Sequence, residues 1–234
     1  MKDIVEIADV QSQILEAFSF RHATKLFDET RKIPEAEFDT ILEAGRLSPT
    51  SFGAEQWQLL MIQTREKREL FRDFAWGANG MMHGTTGQLG SASHFGLFLA
   101  RTSETMKAGS DYLARHMREV KKFPDEVANG FEAVLRKFQE EDFGLTSDRL
   151  LTEWSARQAY IALGNMMTAA ALMGIDSCPI EGFDVKQTQA TLQEHFGIDP
   201  KEFYPAVMVA FGYRAGAPAY PQTRRDLDEV VAWA

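Results

Sequence analysis

The sequence feature that most restricts the fold is Ala156–Met173, a stretch of 18 residues in which Arg157 is the single charged side chain. A membrane-spanning helix needs about 17–25 residues, so this stretch lies at the short end of that range. A helix that is apolar around most of its circumference is explained more simply as a core or interface helix. We predict that it begins near Ser147 and ends at Gly174, because glycine is typical of a left-handed helix cap.

The composition indicates one soluble globular domain over residues 1–234, with room for a single sizeable core. Lys and Arg number 25 against 34 Asp and Glu, and the net charge of −9 argues against a nucleic-acid partner. With Cys178 as the one cysteine and five histidines at no ligand spacing, we expect neither a disulfide nor a metal site. The first residues mix Asp3, Glu6 and Asp9 with apolar residues, unlike a signal peptide, so we expect a cytoplasmic protein outside the membrane.

Helical periodicity dominates the chain and is interrupted by short apolar runs typical of buried strands. Amphipathic helices are predicted from Ile4 to Phe18 and between Pro34 and Pro49, and strands at 58–64, 95–101 and 206–211, with 177–179 as a candidate. The charged region 112–139 predicts surface helices within a helical insertion at about 104–146, plausibly a lid. The spacers between strands differ greatly in length, which indicates an α+β fold rather than regular βαβ winding.

Several common catalytic motifs are absent from the sequence. No G-x-G-x-x-G follows a predicted strand, so a Rossmann dinucleotide site is not supported. No lysine follows a glycine as a Walker motif requires, and neither G-x-S-x-G nor H-E-x-x-H occurs. The usual kinase, hydrolase and metallopeptidase interpretations therefore have no support.

Four segments remain that carry chemically suggestive residues in a recognisable order. They are Ser19–Phe27, with Arg21 and Lys25 four residues apart, Leu47–Trp57, Glu153–Asn165, and Gly174–Asp184 with its run Pro179-Ile180-Glu181-Gly182-Phe183. In this order and at these separations they resemble the nitroreductase family of FMN-dependent NAD(P)H oxidoreductases. The resemblance extends from about Phe18 to Val231, and the Pro-Ile-Glu-Gly-Phe run is its most specific element.

The resemblance implies a nitroreductase-like α+β fold, in which helices surround a central mixed or antiparallel sheet, and an intertwined homodimer. FMN would lie at the subunit interface, which agrees with the apolar surface of the Ala156–Met173 helix. Arg21 and Arg224 would bind its phosphate, because guanidinium groups donate bidentate hydrogen bonds to phosphate. Lys25 would lie at the N1 edge of the flavin ring, where a cation stabilises the negative charge of the reduced flavin.

The resemblance assigns further residues to the cofactor. Pro179, Ile180, Glu181 and Gly182 would pass along one face of the ring, with Ile180 covering that face and the Glu181 backbone amide reaching N5 as a catalytic contact. The partner subunit would supply four residues of one polar loop, which are Thr50, Ser51, Phe52 and Gly53. Other cofactor positions are assigned to His22, Ala23, Thr85, Gln88 and Gln222. Phe52 and Phe123 are the candidates for the substrate rim.

Five positions depart from the family pattern. Ala23 stands where many members have serine, Thr85 where asparagine is frequent, and Gln56 where proline is frequent. Gln88 and Gln222 replace frequent lysines, so two expected positive charges are neutral here. FMN remains the expected cofactor, but its affinity and its reduction potential are the properties that these departures most affect.

The resemblance implies ping-pong kinetics, in which NAD(P)H transfers hydride to flavin N5 and leaves before the acceptor enters the same space. The expected acceptors are nitroaromatics, quinones or similar electron-poor small molecules. Because both ligands use the flavin face, such an enzyme needs no Rossmann fingerprint. Two alternatives stay open, namely a reductase of free flavin, pteridine or an enone, and an FMN-binding module without turnover.

Overall fold

The computed structural model describes residues 4–234, which contain ten α-helices and four β-strands. In chain order these elements are α1 (Ile4–Phe20), α2 (Glu35–Arg46), β1 (Trp57–Met61), α3 (Arg65–Glu69), α4 (Gly87–Ser91), β2 (His94–Arg101), α5 (Ser103–Met106), α6 (Asp111–Arg115), α7 (Asp125–Lys137), α8 (Asp148–Leu172), β3 (Asp176–Ile180), α9 (Val185–Phe196), β4 (Phe203–Gly212) and α10 (Leu227–Val230). Short turns of 3₁₀-helix form at Ser51–Gly53 and Met81–His83.

The four strands form one antiparallel sheet in the order β1-β2-β4-β3. Helices cover both faces of the central strands β2 and β4, whose side chains alternate between two apolar clusters. Leu97 and Ala210 belong to one cluster, and Phe98 and Val209 to the other. The predicted α+β class and antiparallel sheet are confirmed. A parallel pairing, Ala23 with Ser177, lies outside the named strands.

Helix α8 has the ends that its sequence predicts. The Ser147 hydroxyl caps the first turn by accepting a hydrogen bond from the Leu150 amide at 3.3 Å, and Gly174 follows the helix with φ +70°. One side of α8 is buried in the core through residues such as Leu163, whereas Tyr160 and Ile161 on the other side are 39% and 41% exposed. No helix within residues 4–234 is long and apolar enough to cross a membrane.

Several strand boundaries differ from their predictions. β1 ends at Met61 rather than 64, because the Thr64 side chain accepts a hydrogen bond from the Lys67 amide and begins α3. β3 extends to Asp176–Ile180, and β4 begins at Phe203, before the apolar run at 206–211. The residues added to β3 and β4, such as Asp176 and Pro205, lie outside the predicted runs, so only pairing with a neighbouring strand reveals them.

The segment between β2 and α8 forms a helical insertion. It contains α5, α6 and α7, and each of the last two helices continues into a π-helical turn, His116–Val120 and Phe138–Asp142. Buried residues of the insertion such as Met117 and Leu135 pack against Trp154 of α8 in a third apolar cluster. The insertion is therefore packed onto the domain, and its action as a lid remains a prediction.

The loop before β2 depends on two glycines whose backbones touch. Gly80 and Gly87 both have positive φ, at +72° and +59°. A Cβ atom on Gly87 would lie 2.2 Å from the Ala78 carbonyl oxygen, and one on Gly80 would lie 2.3 Å from the Gly87 nitrogen. This contact fixes the start of α4 and so the position of Gln88, which is buried.

We expect Gly87→Ala to destabilise the protein more than Gly84→Ala, which is the matched control. Gly84 also has positive φ, +62°, but has no atom within 4 Å of an added Cβ. Gly84→Ala should lower the free energy of unfolding by about 1–2 kcal/mol, the cost of left-handed backbone for a residue with a Cβ. Gly87→Ala should lower it by about 1–3 kcal/mol more through overpacking against backbone. Urea unfolding measures both losses, and equal losses would contradict the backbone contact.

Candidate functional site

A cavity of about 1200 Å³ lies beside the C-terminal end of α1. Its walls are the residues around 18–26, Ser177 and Pro179 of β3, and the C-terminal segment 214–224. Met167 and His83 complete the lining. Small-molecule sites usually have about 300–1000 Å³, so this cavity has room for a ligand of nucleotide size.

The segment after α1 runs beside β3, and its residues 21–26 line the cavity. Ala23 pairs with Ser177, and Phe27 pairs with Arg214. Thr24 is buried, and its hydroxyl donates to the Asp176 carboxylate at 3.1 Å. The structure therefore places Arg21, Ala23 and Lys25 at the cavity, and His22 lines it as well.

Arg214 lies in the cavity wall, but its charge is neutralised by Asp176. Its Nε donates to Asp176 Oδ1 at 2.8 Å, and its backbone N–H donates to Oδ2 at 3.0 Å. Asp176 is 3% exposed, so the carboxylate of this ion pair is buried. The Arg214 Nη2 group also donates to the Phe20 carbonyl at 2.8 Å. These bonds join the ends of α1 and β4 to the start of β3.

Three other cations line the cavity without a carboxylate partner. Arg21, Lys25 and Arg224 take part in none of the ion pairs formed within residues 4–234. The described cavity lining contains no Asp or Glu. Burial, together with the neighbouring Arg224 guanidinium, holds the pKa of Arg21 below its ordinary value. The cavity therefore concentrates positive charge on a chain with a net charge of −9, which favours an anionic ligand.

Lys25 and Gln88 meet at the sulfur of Cys178. The Lys25 ammonium lies 3.7 Å and the Gln88 amide nitrogen 3.4 Å from Cys178 Sγ. Burial raises the pKa of the Cys178 thiol, so the sulfur stays neutral near pH 7. Thr85 is not part of this group, because its hydroxyl accepts a hydrogen bond from the Gly87 amide at 3.2 Å within its own loop.

The Pro179–Gly182 segment has one side chain at the cavity and two backbone amides without an acceptor in the described chain. Pro179 lines the cavity, whereas Ile180 is 3% exposed and packs in the core beside Gly77. Neither the Glu181 nor the Gly182 amide donates a hydrogen bond to another group of residues 4–234. Gly182 is needed for close packing, because a Cβ there would lie 2.9 Å from the Gly77 backbone.

The exposed Glu181 carboxylate accepts a hydrogen bond from the Tyr160 hydroxyl. Burial raises the pKa of Tyr160 most, and this hydrogen bond raises it further.

The loop Thr50–Gly53 does not line this cavity, and it is held against α8 and the insertion instead. The Ser51 amide donates to Gln158 Oε1 at 2.9 Å, and the His116 ring lies 3.1 Å from the Gly53 carbonyl. Phe52 has a left-handed backbone with φ +59°. Such strain persists only where the surroundings hold the backbone in place. A role for this loop toward a partner's site remains a prediction.

The two candidate rim residues lie in one aromatic cluster of the insertion. The Phe52 ring contacts Phe131 and Phe138, with centroids 5.7 Å and 4.8 Å away. The Phe123 ring lies 6.2 Å from Phe131. The structure therefore brings Phe52 and Phe123 together through Phe131, in the third apolar cluster rather than in the cavity wall.

Sequence reasoning missed Arg214 and the wall that follows it. Arg214 follows β4 directly, and β4 pairs with β3 so that Gly212 lies opposite Asp176. Only this register shows that the arginine reaches the carboxylate. Met167 lies in the stretch predicted as a core or interface helix, and its sulfur also lies 3.8 Å from the Arg21 guanidinium at the cavity. No local signal distinguishes these residues from ordinary surface or core positions.

The chain belongs to the nitroreductase family. The family model described as Nitroreductase family matches residues 19–213. A Bacillus subtilis protein named "Putative NAD(P)H nitroreductase YfkO" is 47% identical over 228 residues, which cover 97% of this chain and 100% of that protein. The family expected from the four segments is confirmed.

Two solved structures show the same fold at low sequence identity. A Staphylococcus epidermidis protein described as a "putative NAD(P)H:FMN oxidoreductase" aligns with a TM-score of 0.73 at 20% identity, covering 94% of this chain and 95% of that one. An Exiguobacterium sibiricum protein described as a "putative nitroreductase in complex with FMN" aligns with a TM-score of 0.69 at 19% identity, covering 94% and 97%. The expected fold is therefore confirmed.

Proposed function

We propose that this protein is an FMN-dependent NAD(P)H oxidoreductase that reduces nitroaromatics, quinones or similar electron-poor acceptors. Its family and the 47% identical relative with an NAD(P)H nitroreductase name support the reaction class. The observation that carries the assignment is the cavity that Arg21, Lys25 and Arg224 line without a carboxylate among its described residues.

The residues present fit the phosphate of FMN. A phosphate monoester carries about −1.5 to −2 charges at pH 7, which would relieve the repulsion between Arg21 and Arg224. Arg21 now contacts the Met167 sulfur at 3.8 Å and the Phe18 ring at 5.3 Å. Both partners are weaker than a phosphate oxygen, so the guanidinium is available for a stronger ligand.

The other side of the cavity fits the flavin ring. When bound, FMN supplies two-electron hydride chemistry at N5. Lys25 would hold a positive charge at the ring edge, because within residues 4–234 its ammonium contacts only the weak acceptor sulfur of Cys178. The amides of Glu181 and Gly182 would donate to ring heteroatoms, since they have no other acceptor in the described chain. Pro179 would pack against the ring face.

In this proposal both substrates use one open flavin face in a ping-pong sequence. The chain has no dinucleotide fingerprint, which supports a shared site rather than a separate nucleotide domain. In the dimer, the insertion of the second copy, with its Phe52 and Phe123 joined through Phe131, would form the rim of this cavity and exclude water from the flavin face. Its packed aromatic cluster favours a preformed rim.

The proposal includes a homodimer, which the exposed side of α1 supports. Ile7, Val10, Ile14 and Phe18 form one stripe at helical spacing, and each is 40–47% exposed. Among the α1 residues from Ile7 onward, Ala17 is the one that the core buries most fully, at 5% exposed. A helix with so little burial in its own chain needs another surface to cover its apolar stripe. A second copy would cover it and would also bring its Thr50–Gly53 loop toward this cavity.

We expect Ile14→Glu to dissociate the homodimer. The substitution places a charge in the stripe, where dimerisation would bury it without a partner. Gln13→Glu adds the same charge outside the stripe and should leave the dimer intact. Sedimentation velocity measures the mass of both variants. A wild-type protein that sediments as a monomer would contradict the dimer.

We expect purified protein to be yellow, with absorbance peaks at about 370 and about 450 nm from bound flavin. Anaerobic NADPH or NADH should bleach the 450 nm peak, and a nitroaromatic or quinone should restore it. A binding module would stay yellow after the nucleotide is added. Recovery with free flavin, a pteridine or an enone, but not with nitroaromatics or quinones, would support the alternative reductase. Protein that stays colourless with excess FMN would contradict the cofactor assignment.

We expect Lys25→Met to lower the reduction potential of the bound flavin by about 30–60 mV. A charge-assisted hydrogen bond contributes about 1.5–3 kcal/mol, and about 30 mV corresponds to 1.4 kcal/mol for two electrons. Reduction by NAD(P)H should slow accordingly. Lys186→Met, at an exposed position of α9, is the control and should leave the potential unchanged. Equilibration with reference dyes measures the potential, and an unchanged value in Lys25→Met would remove the ring-edge role.

A further inference from the structure

The side-chain amide of Gln222 donates to backbone carbonyl groups. The family resemblance implies a phosphate-binding lysine at this position. The Gln222 Nε2 lies 3.1 Å from the Phe18 carbonyl oxygen and 3.0 Å from that of Ser19, and it also donates to the carbonyl of Arg21. Phe18 and Ser19 belong to the last turn of α1, whose carbonyls lack partners within the helix. The C-terminal segment therefore caps α1 through Gln222.

The same contact ties the chain just before Arg224 to the backbone of Arg21. Gln222 is bonded to the backbone of Arg21 and precedes Arg224 by two residues. Both guanidinium groups line the same cavity, so their like charges repel each other. Burial lowers the pKa of Arg21 most, and the Arg224 charge lowers it further. Arg224 has a local partner in the Thr223 carbonyl at 2.6 Å, which does not tie it to the opposite wall. Repulsion would therefore move the segment outward unless another bond holds it, and Gln222 forms that bond.

Direct binding of phosphate by Gln222 is the competing explanation, and its geometry argues against it. A primary amide has two N–H donors, and three carbonyl oxygens already share them. The remaining polar atom, Oε1, is an acceptor and would repel a phosphate oxygen. Gln222 therefore has no free donor to offer an anion.

We propose that Gln222 is a positioning residue, which holds Arg224 beside Arg21 so that the phosphate site exists before the ligand arrives. The inference rests on the proposed function, because it takes FMN as the ligand. Preorganisation of this kind increases affinity by removing the cost of ordering the site during binding. The lysine of the family pattern would supply charge directly, whereas this chain uses an amide to arrange charges that are already present.

The test compares FMN with riboflavin, which has the same ring and no phosphate. We expect Gln222→Met, a variant of similar shape without donors, to weaken FMN binding about ten-fold, the effect of about 1.4 kcal/mol. Riboflavin affinity should change less than two-fold. Arg224→Ala should weaken FMN binding more, and Gln222→Met should add less than a further two-fold in the Arg224→Ala background. Fluorescence quenching during reconstitution of the flavin-free protein gives each dissociation constant.

Several outcomes would overturn the inference. Full additivity of the two substitutions would mean that Gln222 acts independently of Arg224, as in direct phosphate binding. Equal losses for FMN and riboflavin, or a matching fall in thermal stability, would indicate a general structural role. Gln187→Met, at an exposed position of α9, is the matched control and should change neither affinity. Gln222→Leu replaces the methionine variant if that variant does not fold.

Failure of the proposed function gives a different result. In that case wild-type protein would bind FMN no more tightly than riboflavin, before any substitution is made. If wild-type protein prefers FMN but the effects of Gln222→Met and Arg224→Ala are additive, the cofactor assignment stands. Only the positioning role of Gln222 is then removed.

Discussion

The buried carboxylate of Asp176 joins the three segments that enclose the cavity. Asp176 begins β3, accepts a hydrogen bond from Thr24 of the segment after α1, and pairs with Arg214 at the end of β4. A buried charge is tolerated only when it is paired and its hydrogen bonds are satisfied. Because these partners come from distant parts of the chain, the cavity walls form together or not at all. The ion pair also neutralises Arg214, which leaves Arg21, Lys25 and Arg224 as the cations available to a ligand.

The charge of the cavity is opposite in sign to the net charge of the protein. The chain carries a net charge of −9, yet the described lining of the cavity contains cations and no carboxylate. A cleft lined by one sign of charge attracts ligands of the opposite sign and raises their association rate. In the proposed dimer, the partner's Thr50–Gly53 loop would complete this site. That loop would arrive in a defined shape, because the His116 ring of the insertion contacts its Gly53 carbonyl. Just after the loop, the Tyr112 hydroxyl donates to the Ala54 carbonyl and Lys121 pairs with Glu55.

Much of the fold could be predicted from the sequence, because its signals are local. Ser147 and Gly174 mark the ends of α8, and the apolar runs mark the strands to within a few residues. The site was predictable only in part. Arg21, Lys25, Pro179 and Arg224 do line one cavity, whereas Ile180 is buried in the core and Thr85 stabilises its own loop. Family patterns identify positions, but the direction of a side chain depends on the packing of neighbouring segments.

The sequence by itself determined the longer helices, the approximate positions of the strands, the apolar character of α8, and the family, because helix caps, periodicity and ordered motifs are properties of neighbouring residues. Only the tertiary structure decided which charges are paired and which are left for a ligand. Arg214 and Arg224 lie ten residues apart in the same C-terminal segment, and no local feature distinguishes them. The strand register brings Arg214 to Asp176, and the Gln222 amide at the end of α1 leaves Arg224 beside Arg21. Long-range contacts thus place Arg214 in a structural ion pair and leave Arg224 at the cavity.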